Sequence, residues 1–420
     1  MRVAQLCRVF GVGLVLLMVP AVRAQTSPSR AGAGAVERPH TLMLRGDNLL
    51  ASRRRVMEGD ASLRSVVLQL RRDADKALRA PLIAVTDKRT MMPPSNDPHD
   101  YYSLSPYWWP DSSKADGLPY IRRDGVTNPE SKRDLDQPRI AAMSDRVSTL
   151  ALAWWFTGET KYADRAVTQL RTWFLDSATK MTPHLRYAQL VRGNDKERGS
   201  GIIDSRGLLD VVDAIALLEQ SGVFAEADRR ALRNWFASYQ SWLLTSPNGR
   251  TERAAKNNHG SWYAAQTAAF ALFSGDTAAA RQIIGDVPAR IASQIESDGR
   301  QPQELERTKS LHYSAFNLMA LSRLAEMGRL VGVDVWTYRA PAGGSLTAAI
   351  DRMAPFVDRQ QDWPDTQIDP VRSEYFLEVF RKARLALGDR KYDAVIARLP
   401  KADVAKDVSA LLYAPDASRP

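Results

Sequence analysis

From about residue 139 to 400 apolar residues recur at helical spacing almost without interruption, and this restricts the chain to packing helix against helix. One stripe runs through Ile140, Met143, Val147, Leu150, Leu152 and Trp155; after Gly158 a second runs through Ala163, Val167, Leu170, Trp173 and Phe174. Further amphipathic helices are expected at about 205–221, 225–246, 258–273, 277–297, 311–331, 345–358, 372–387 and 391–398, with Gly and Pro between them. Trp154, Trp155, Trp173, Trp235 and Trp242 fall at core spacing. Thr157-Gly158-Glu159, Ser274-Gly275-Asp276 and Leu387-Gly388-Asp389 echo one another, their glycines 117 and 113 residues apart. Some ten helices joined by short loops are expected to nest as an all-α, (α/α) toroid, an incomplete barrel of helical hairpins; an irregular helical bundle is the alternative.

The first residues have the pattern of an export signal. Arg2 and Arg8 precede an apolar run from Val9 to Val19, too short to span a bilayer, and Val22-Arg23-Ala24 ends in a small residue. Cleavage is expected after Ala24, giving a periplasmic or secreted protein with no membrane span. The only cysteine, Cys7, would leave with the leader, so neither a disulfide nor a thiolate metal site is expected. Residues 25–37 are small and polar and are expected to form a disordered linker, 38–410 one toroid domain, and 411–420 a C-terminal tail. The net charge of +10 favours an anionic partner. The composition is ordinary globular and leaves open which anion that is, and no nucleic-acid partner is expected.

The segment from about 85 to 138 departs from the helical pattern. It is rich in Pro, Asp, Gly and aromatics, too apolar for a tail, and a loop of such length inside a compact fold is usually functional. Tyr107, Trp108 and Trp109 offer flat faces for sugars, and Arg122 and Arg123 offer cations for acidic ones.

Five histidines, His40, His99, His184, His259 and His312, form no HExxH or comparable spacing, and neither a nucleophile elbow, a P-loop nor a dinucleotide fingerprint is present. No metal or cofactor is expected. Two segments remain. In Asn257-Asn258-His259-Gly260-Ser261-Trp262, Asn257 is a candidate N-cap, which sets His259 in a first helical turn. In Arg307-Thr308-Lys309-Ser310-Leu311-His312-Tyr313, Ser310 is the candidate cap. A continuous helix would hold Arg307 and Tyr313 on different faces, so they converge only if the chain bends near Ser310.

If both helices belong to the inner layer of a toroid, their N-termini meet at one rim. Such a rim, with Arg307, Lys309 and His259, favours a carboxylate and is expected to depress the pKa of Tyr313. Removing the proton beside a carboxylate piles charge onto an anion, so that group must be neutralised; Asn258, His259 and Arg307 are suitable donors. Tyr313 can take the C5 proton of a uronate and return one to the leaving O4 when both lie on one face of the ring.

The run Asp100-Tyr101-Tyr102-Ser103-Leu104-Ser105-Pro106-Tyr107-Trp108-Trp109-Pro110 with Gly117-Leu118-Pro119-Tyr120-Ile121-Arg122-Arg123-Asp124-Gly125 resembles the N-terminal signature of the alginate lyase superfamily. Asn257-Asn258-His259 and Arg307 to Ser314 resemble its two catalytic segments. The resemblance spans roughly residues 60–390. It implies an (α/α) toroid and metal-independent β-elimination in which the roles of carboxyl neutralisers fall on Asn258, His259 and Arg307, and that of base and acid on Tyr313. Candidate substrate contacts are Tyr107, Trp108, Trp109, Arg122, Arg123, Tyr187, Gln189, Trp262, Glu304 and His312. After Asn-Asn-His the mannuronate-specific relatives continue Ser-Tyr-Trp, whereas here the chain reads Gly260-Ser261-Trp262; the aromatic loop is more similar to the glucuronan lyase branch. Glucuronate and mannuronate share their C4 and C5 configuration, so the same chemistry serves both.

The expected function is therefore an exported lyase that cleaves a polyuronate, glucuronan or mannuronate-rich alginate, by β-elimination. One alternative is a glycoside hydrolase on the same kind of toroid, for which Glu130, Asp134, Asp204 and Glu304 are the carboxylates available. A non-catalytic glycan-binding protein using the aromatic loop alone is the other.

Overall fold

The computed structural model describes residues 36–194 and 196–414. The expected export signal with its cleavage after Ala24, and most of the expected linker, lie outside the described residues.

Two helices precede the aromatic segment, α1 (Gly46–Met57) and α2 (Arg64–Arg79). After it come α3 (Asp136–Thr157), α4 (Thr160–Phe174), α5 (Leu208–Leu218), α6 (Glu226–Thr245), α7 (Pro247–Arg253), α8 (Asn258–Ser274), α9 (Thr277–Gly285) and α10 (Val287–Gln294). The chain continues through α11 (Pro302–Leu305), α12 (Ser310–Val331), α13 (Leu346–Met353), α14 (Ser373–Leu387), α15 (Lys391–Ile396), α16 (Lys401–Val404) and α17 (Ser409–Leu412).

The helices α3, α5, α8, α12 and α14 pack each against the next and form the inner layer of an (α/α) toroid, with α4, α6, α9, α13 and α15 outside them. Burial on nearly every side explains the composition of the inner elements. In α8, Ala264, Ala265, Ala268, Ala269 and Ala271 are all buried, small enough for close approach of neighbouring helices, and α12 is buried almost throughout. Outer helices such as α4 keep one apolar stripe, here Ala163, Ala166, Val167 and Leu170. The three Gly-acid echoes are one device repeated: Gly158, Gly275 and Gly388, all with positive φ, end α3, α8 and α14 and turn the chain from inner to outer layer.

The stretch expected as one helix at 277–297 is two, divided at Asp286 with Pro288 opening the second. Tyr413 and its neighbours Leu411 and Leu412, placed at the start of the expected C-terminal tail, are buried. Trp154, Trp155, Trp173 and Trp235 are core, and Trp242 is partly buried against it. No helix among the described residues is long and apolar enough to cross a membrane.

The aromatic segment lies over one end of this frame and holds β1 (Tyr102–Leu104), β2 (Trp108–Trp109) and β3 (Ile121–Arg122), the last two an antiparallel pair with Trp108 opposite Arg122. A fourth strand, β4 (Tyr187–Leu190), runs parallel to β1. Two buried carboxylates anchor the segment. Asp204 accepts hydrogen bonds from Tyr101 Oη (3.0 Å), Ser103 Oγ (2.7 Å) and Gln189 Nε2 (2.7 Å). Asp136 pairs with Lys88 at 3.0 Å, both side chains fully buried, and accepts the Tyr102 N–H. Burial pushes Asp136 up to about 6, against the pull of Lys88.

Candidate active site

The first turns of α8 and α12 open into one cleft of about 740 Å³, roofed by the aromatic segment. Asn258, His259, Arg307 and Tyr313 all line it, as do Tyr107, Trp108, Arg122, Gln189 and His312. The toroid brings the two helix starts together as the sequence leads one to expect: α8 and α12 are neighbours in the inner layer, and their N-termini face the same cleft.

Asn257 caps α8, its Oδ1 accepting the His259 N–H at 3.2 Å. Asn258, next along, is fully buried; its main-chain N–H and its Nδ2 donate to Oε1 and Oε2 of Glu304, each at 2.6 Å. The Asn258 Oδ1 has no hydrogen-bond partner among the described residues. His259 Nδ1 lies 2.6 Å from Oε1 of Glu252, which comes from α7 and is itself buried. Accepting from Nδ1, the carboxylate fixes the imidazole plane and leaves Nε2 free to address the cleft.

The bend needed to unite Arg307 and Tyr313 is present. Lys309 leaves the helical conformation just before α12, and the Arg307 guanidinium lies 3.8 Å from the centre of the Tyr313 ring. Arg307 is also engaged by Asp124 of the aromatic segment, through Nη2 at 2.7 Å and Nε at 3.1 Å, and Asp124 accepts the Thr308 N–H and hydroxyl as well. Burial alone would raise Asp124, but these donors outweigh it and hold it well below the usual carboxylate range. Ser310 is the first residue of α12 and its hydroxyl accepts from Trp363 Nε1 at 2.7 Å, so it does not serve as the expected cap.

Tyr313 is buried, and its hydroxyl lies 2.8 Å from that of Tyr107. The expectation of a depressed pKa is overturned: burial, and then Tyr107, push the phenol well above its ordinary value, and the nearby Arg307 does not compensate. His312 stacks near Phe316 and Tyr375, and burial with four surrounding cations lowers it to about 4, so it is neutral at pH 7.

The remaining candidates divide. Trp109 and Arg123 stack on each other, 5.4 Å apart, outside the cleft lining, and Tyr187 packs with the small cluster under β1 and β4. Trp262 is core, its ring against Phe316, so burial within the toroid removes it from the cleft. Glu304 stands behind Asn258 rather than in the cleft, because both its oxygens are occupied. Lys309 is paired with Asp369 at 2.5 Å and does not line the cleft.

Sequence reasoning missed Glu252, seven residues before His259 on another helix, and Asp124, far along the chain from Arg307, and it missed Lys132, Arg198, Arg206 and Lys256, which make the cleft strongly basic. A larger cavity of about 1000 Å³ shares Asp204, Arg206, Phe316 and Tyr375 with the cleft but reaches none of Asn258, His259, Arg307 or Tyr313. Among the described residues no group of three or more His, Cys, Asp or Glu is arranged to hold a metal ion.

Comparison with known proteins adds a lineage to this geometry. The alginate lyase family profile matches residues 84–363. A crystal structure of an alginate lyase from Bacteroides ovatus is 38% identical, with a TM-score of 0.86 over 90% of this chain and 100% of that one. Alginate lyase A1-III from Sphingomonas species A1 superimposes with a TM-score of 0.57 at 17% identity, over 88% of this chain and 95% of that one. A variant of A1-III complexed with a tetrasaccharide gives 0.58 at 17% identity, covering 88% and 94%. None of the curated proteins matches the chain.

Proposed function

Given that the chain belongs to the alginate lyase family and is a polysaccharide lyase, we propose that it is exported and cleaves mannuronate-rich alginate or glucuronan by β-elimination, with Tyr313 as the proton carrier. The observation that carries this reading is the meeting of Tyr313 with Asn258, His259 and Arg307 at a single basic cleft.

A uronate seated there would have its carboxyl group toward Asn258 and His259 and its C5–H toward the Tyr313 hydroxyl. Charge develops on the carboxyl as the C5 proton leaves; His259 is already set in place by Glu252, whereas the Asn258 Nδ2, expected from the sequence to donate here, is held by Glu304 and leaves Oδ1 on the side of the cleft. Tyr313 is a phenol at rest, so its acid form is ready for the leaving O4. The base form is reached against the burial of the ring, and Arg307, 3.8 Å from the ring centre, is the group placed to stabilise the phenolate. Tyr107, 2.8 Å from the same oxygen, can donate a hydrogen bond to the phenolate once the Tyr313 proton has passed to solvent, and that phenolate takes the C5 proton and delivers it to O4. The basic lining residues Arg122, Lys132, Arg198, Arg206 and Lys256 suit successive acidic sugars along the cleft.

The carboxylates that a glycoside hydrolase would need are otherwise occupied. Asp204 anchors the aromatic segment, Glu304 holds Asn258, Glu130 takes Tyr120 and Arg192, and Asp134 takes Thr90 and Arg139.

The deciding experiment is incubation with polymannuronate, polyguluronate and glucuronan, followed by the ultraviolet absorbance of a C4–C5 double bond. Absorbance is expected with polymannuronate or glucuronan, and Tyr313→Phe is expected to lower turnover at least about 10³-fold while the polymer still binds. Reducing ends without absorbance would reverse the assignment in favour of hydrolysis.

A further inference from the structure

Resting on the reading of Asn258 as a group that meets the substrate carboxyl, we propose that Glu304 is the positioning residue that turns the Asn258 amide carbonyl-first toward the cleft. Glu304 lies on α11, 1% exposed, immediately before the turn that carries Arg307. Both its oxygens are spent on one residue, Oε1 on the main-chain N–H of Asn258 and Oε2 on its Nδ2, each at 2.6 Å. Ionised, Glu304 only accepts hydrogen bonds, so Nδ2 then faces Glu304 and Oδ1 faces away from it. That oxygen has no hydrogen-bond partner among the described residues, and it belongs to a fully buried side chain that lines the cleft. Unpaired and buried, such an acceptor is costly until a donor arrives, which makes it a feature aimed at a ligand rather than at the fold.

The orientation has a chemical consequence. A carboxyl group meets an acceptor only across a proton, so Asn258 held this way favours the acid form of the uronate, from which loss of the C5 proton builds one negative charge fewer than from the carboxylate. The charged and titratable groups facing Glu304 are Arg307 and His259, besides the amide itself; burial pushes Glu304 up to about 7 against the hydrogen bonds from Asn258.

Glu304→Gln tests the assignment. Glutamine offers one acceptor and one donor: its oxygen can keep the Asn258 main-chain N–H, and its Nε2 then faces the Asn258 amide, which must turn Oδ1 inward and Nδ2 toward the cleft. With polymannuronate, kcat is expected to fall at least about tenfold while KM stays the same or falls, because the reversed amide binds the ionised carboxylate, from which loss of the C5 proton builds two negative charges instead of one. A variant with kcat within about twofold of the parent, or with only a raised KM, overturns the proposal.

Selective 15N-asparagine NMR supplies a readout that needs no turnover, with the Asn258 side-chain signals assigned by their loss in Asn258→Ser. In the parent protein the Nδ2 signals are expected to shift as Glu304 titrates and to exchange slowly with solvent; in Glu304→Gln the shift should vanish and exchange quicken. Signals insensitive to pH in the parent overturn the proposal even if the variant fails to fold. Should the parent form no unsaturated product from any polyuronate, the reading of function fails, and the NMR result still decides the role of Glu304.

Discussion

Tyr313 sits where its proton is held hard: buried, bonded to Tyr107, and stacked under a guanidinium whose charge Asp124 partly neutralises. Helix N-termini and neighbouring cations, which the sequence displays, argue for a depressed pKa; the loss of solvent around the ring, which it does not display, outweighs them. His259 poses the complementary case. Its ring is set by Glu252 at 2.6 Å, a carboxylate seven residues earlier on a different helix. Glu252→Gln is expected to lower kcat/KM by about 10- to 100-fold with little change in Tm, since an amide oxygen still accepts from Nδ1 but holds the ring less firmly than a carboxylate does. Steady-state kinetics beside a thermal melt checks this, and unchanged kcat/KM would remove Glu252 from the site. The motif residues Asn258, His259, Arg307 and Tyr313 were legible because each sits in a short run of unusual residues. Glu252 and Asp124 were not, because a carboxylate that orients a neighbour looks in sequence like any solvated acid.

At the level of elements, periodicity located most of the helices from 139 onward, and the aperiodic stretch at 85–138 holds only short strands and single turns. The pair α1 and α2 lies outside the helices expected from the sequence, although Val66, Leu70, Ala74 and Ala77 mark a buried stripe at helical spacing. Gly260 shows what spacing alone cannot explain. A Cβ there would stand 2.0 Å from the Ala255 carbonyl oxygen and 2.4 Å from Arg290 Nη1, so the first turn of α8 closes against the preceding turn with no room for a side chain. The departure from Ser at this position is thus a packing requirement of this chain. Gly260→Ala is expected to destabilise the protein by about 1–3 kcal/mol in chemical denaturation and to lower turnover by displacing Asn258 and His259. A variant as stable as the parent would show that the α7–α8 connection can yield.

Across the whole molecule, long-range polar contacts close what the helical hairpins leave open. The Asp213 carboxylate, buried on α5, accepts the main-chain N–H groups of Leu42, Met43 and Leu44, at 2.5, 3.1 and 3.0 Å, and so ties the segment before α1 to the inner layer. Arg45 reaches Glu326 on α12 at 2.8 Å, a second tie between the same segment and the ring. Burial pushes Asp213 up to about 6 despite those three donors. The folded protein therefore holds this proton more tightly than the unfolded chain does. Its contribution, about 3 kcal/mol, is complete below about pH 4 and is lost as pH rises towards about 6. Asp213→Asn is expected to be less stable overall, because one oxygen replaces two, and to show a flatter dependence of Tm on pH between 4 and 6. An unaltered slope would assign the dependence to other buried acids, Asp136 and Glu304 among them.

By itself the sequence determined the helical architecture and the motif residues Asn258, His259, Arg307 and Tyr313 that meet at the cleft, because apolar period and short unusual motifs are local properties that survive without coordinates. The tertiary structure decided which of the aromatic and acidic candidates face that cleft. It buried Trp262, set Glu304 behind Asn258 and placed Asp124 on Arg307. Orientation and desolvation depend on residues tens to hundreds of positions apart, such as Asp124 and Arg307, and no local pattern in a chain records who its distant neighbours will be.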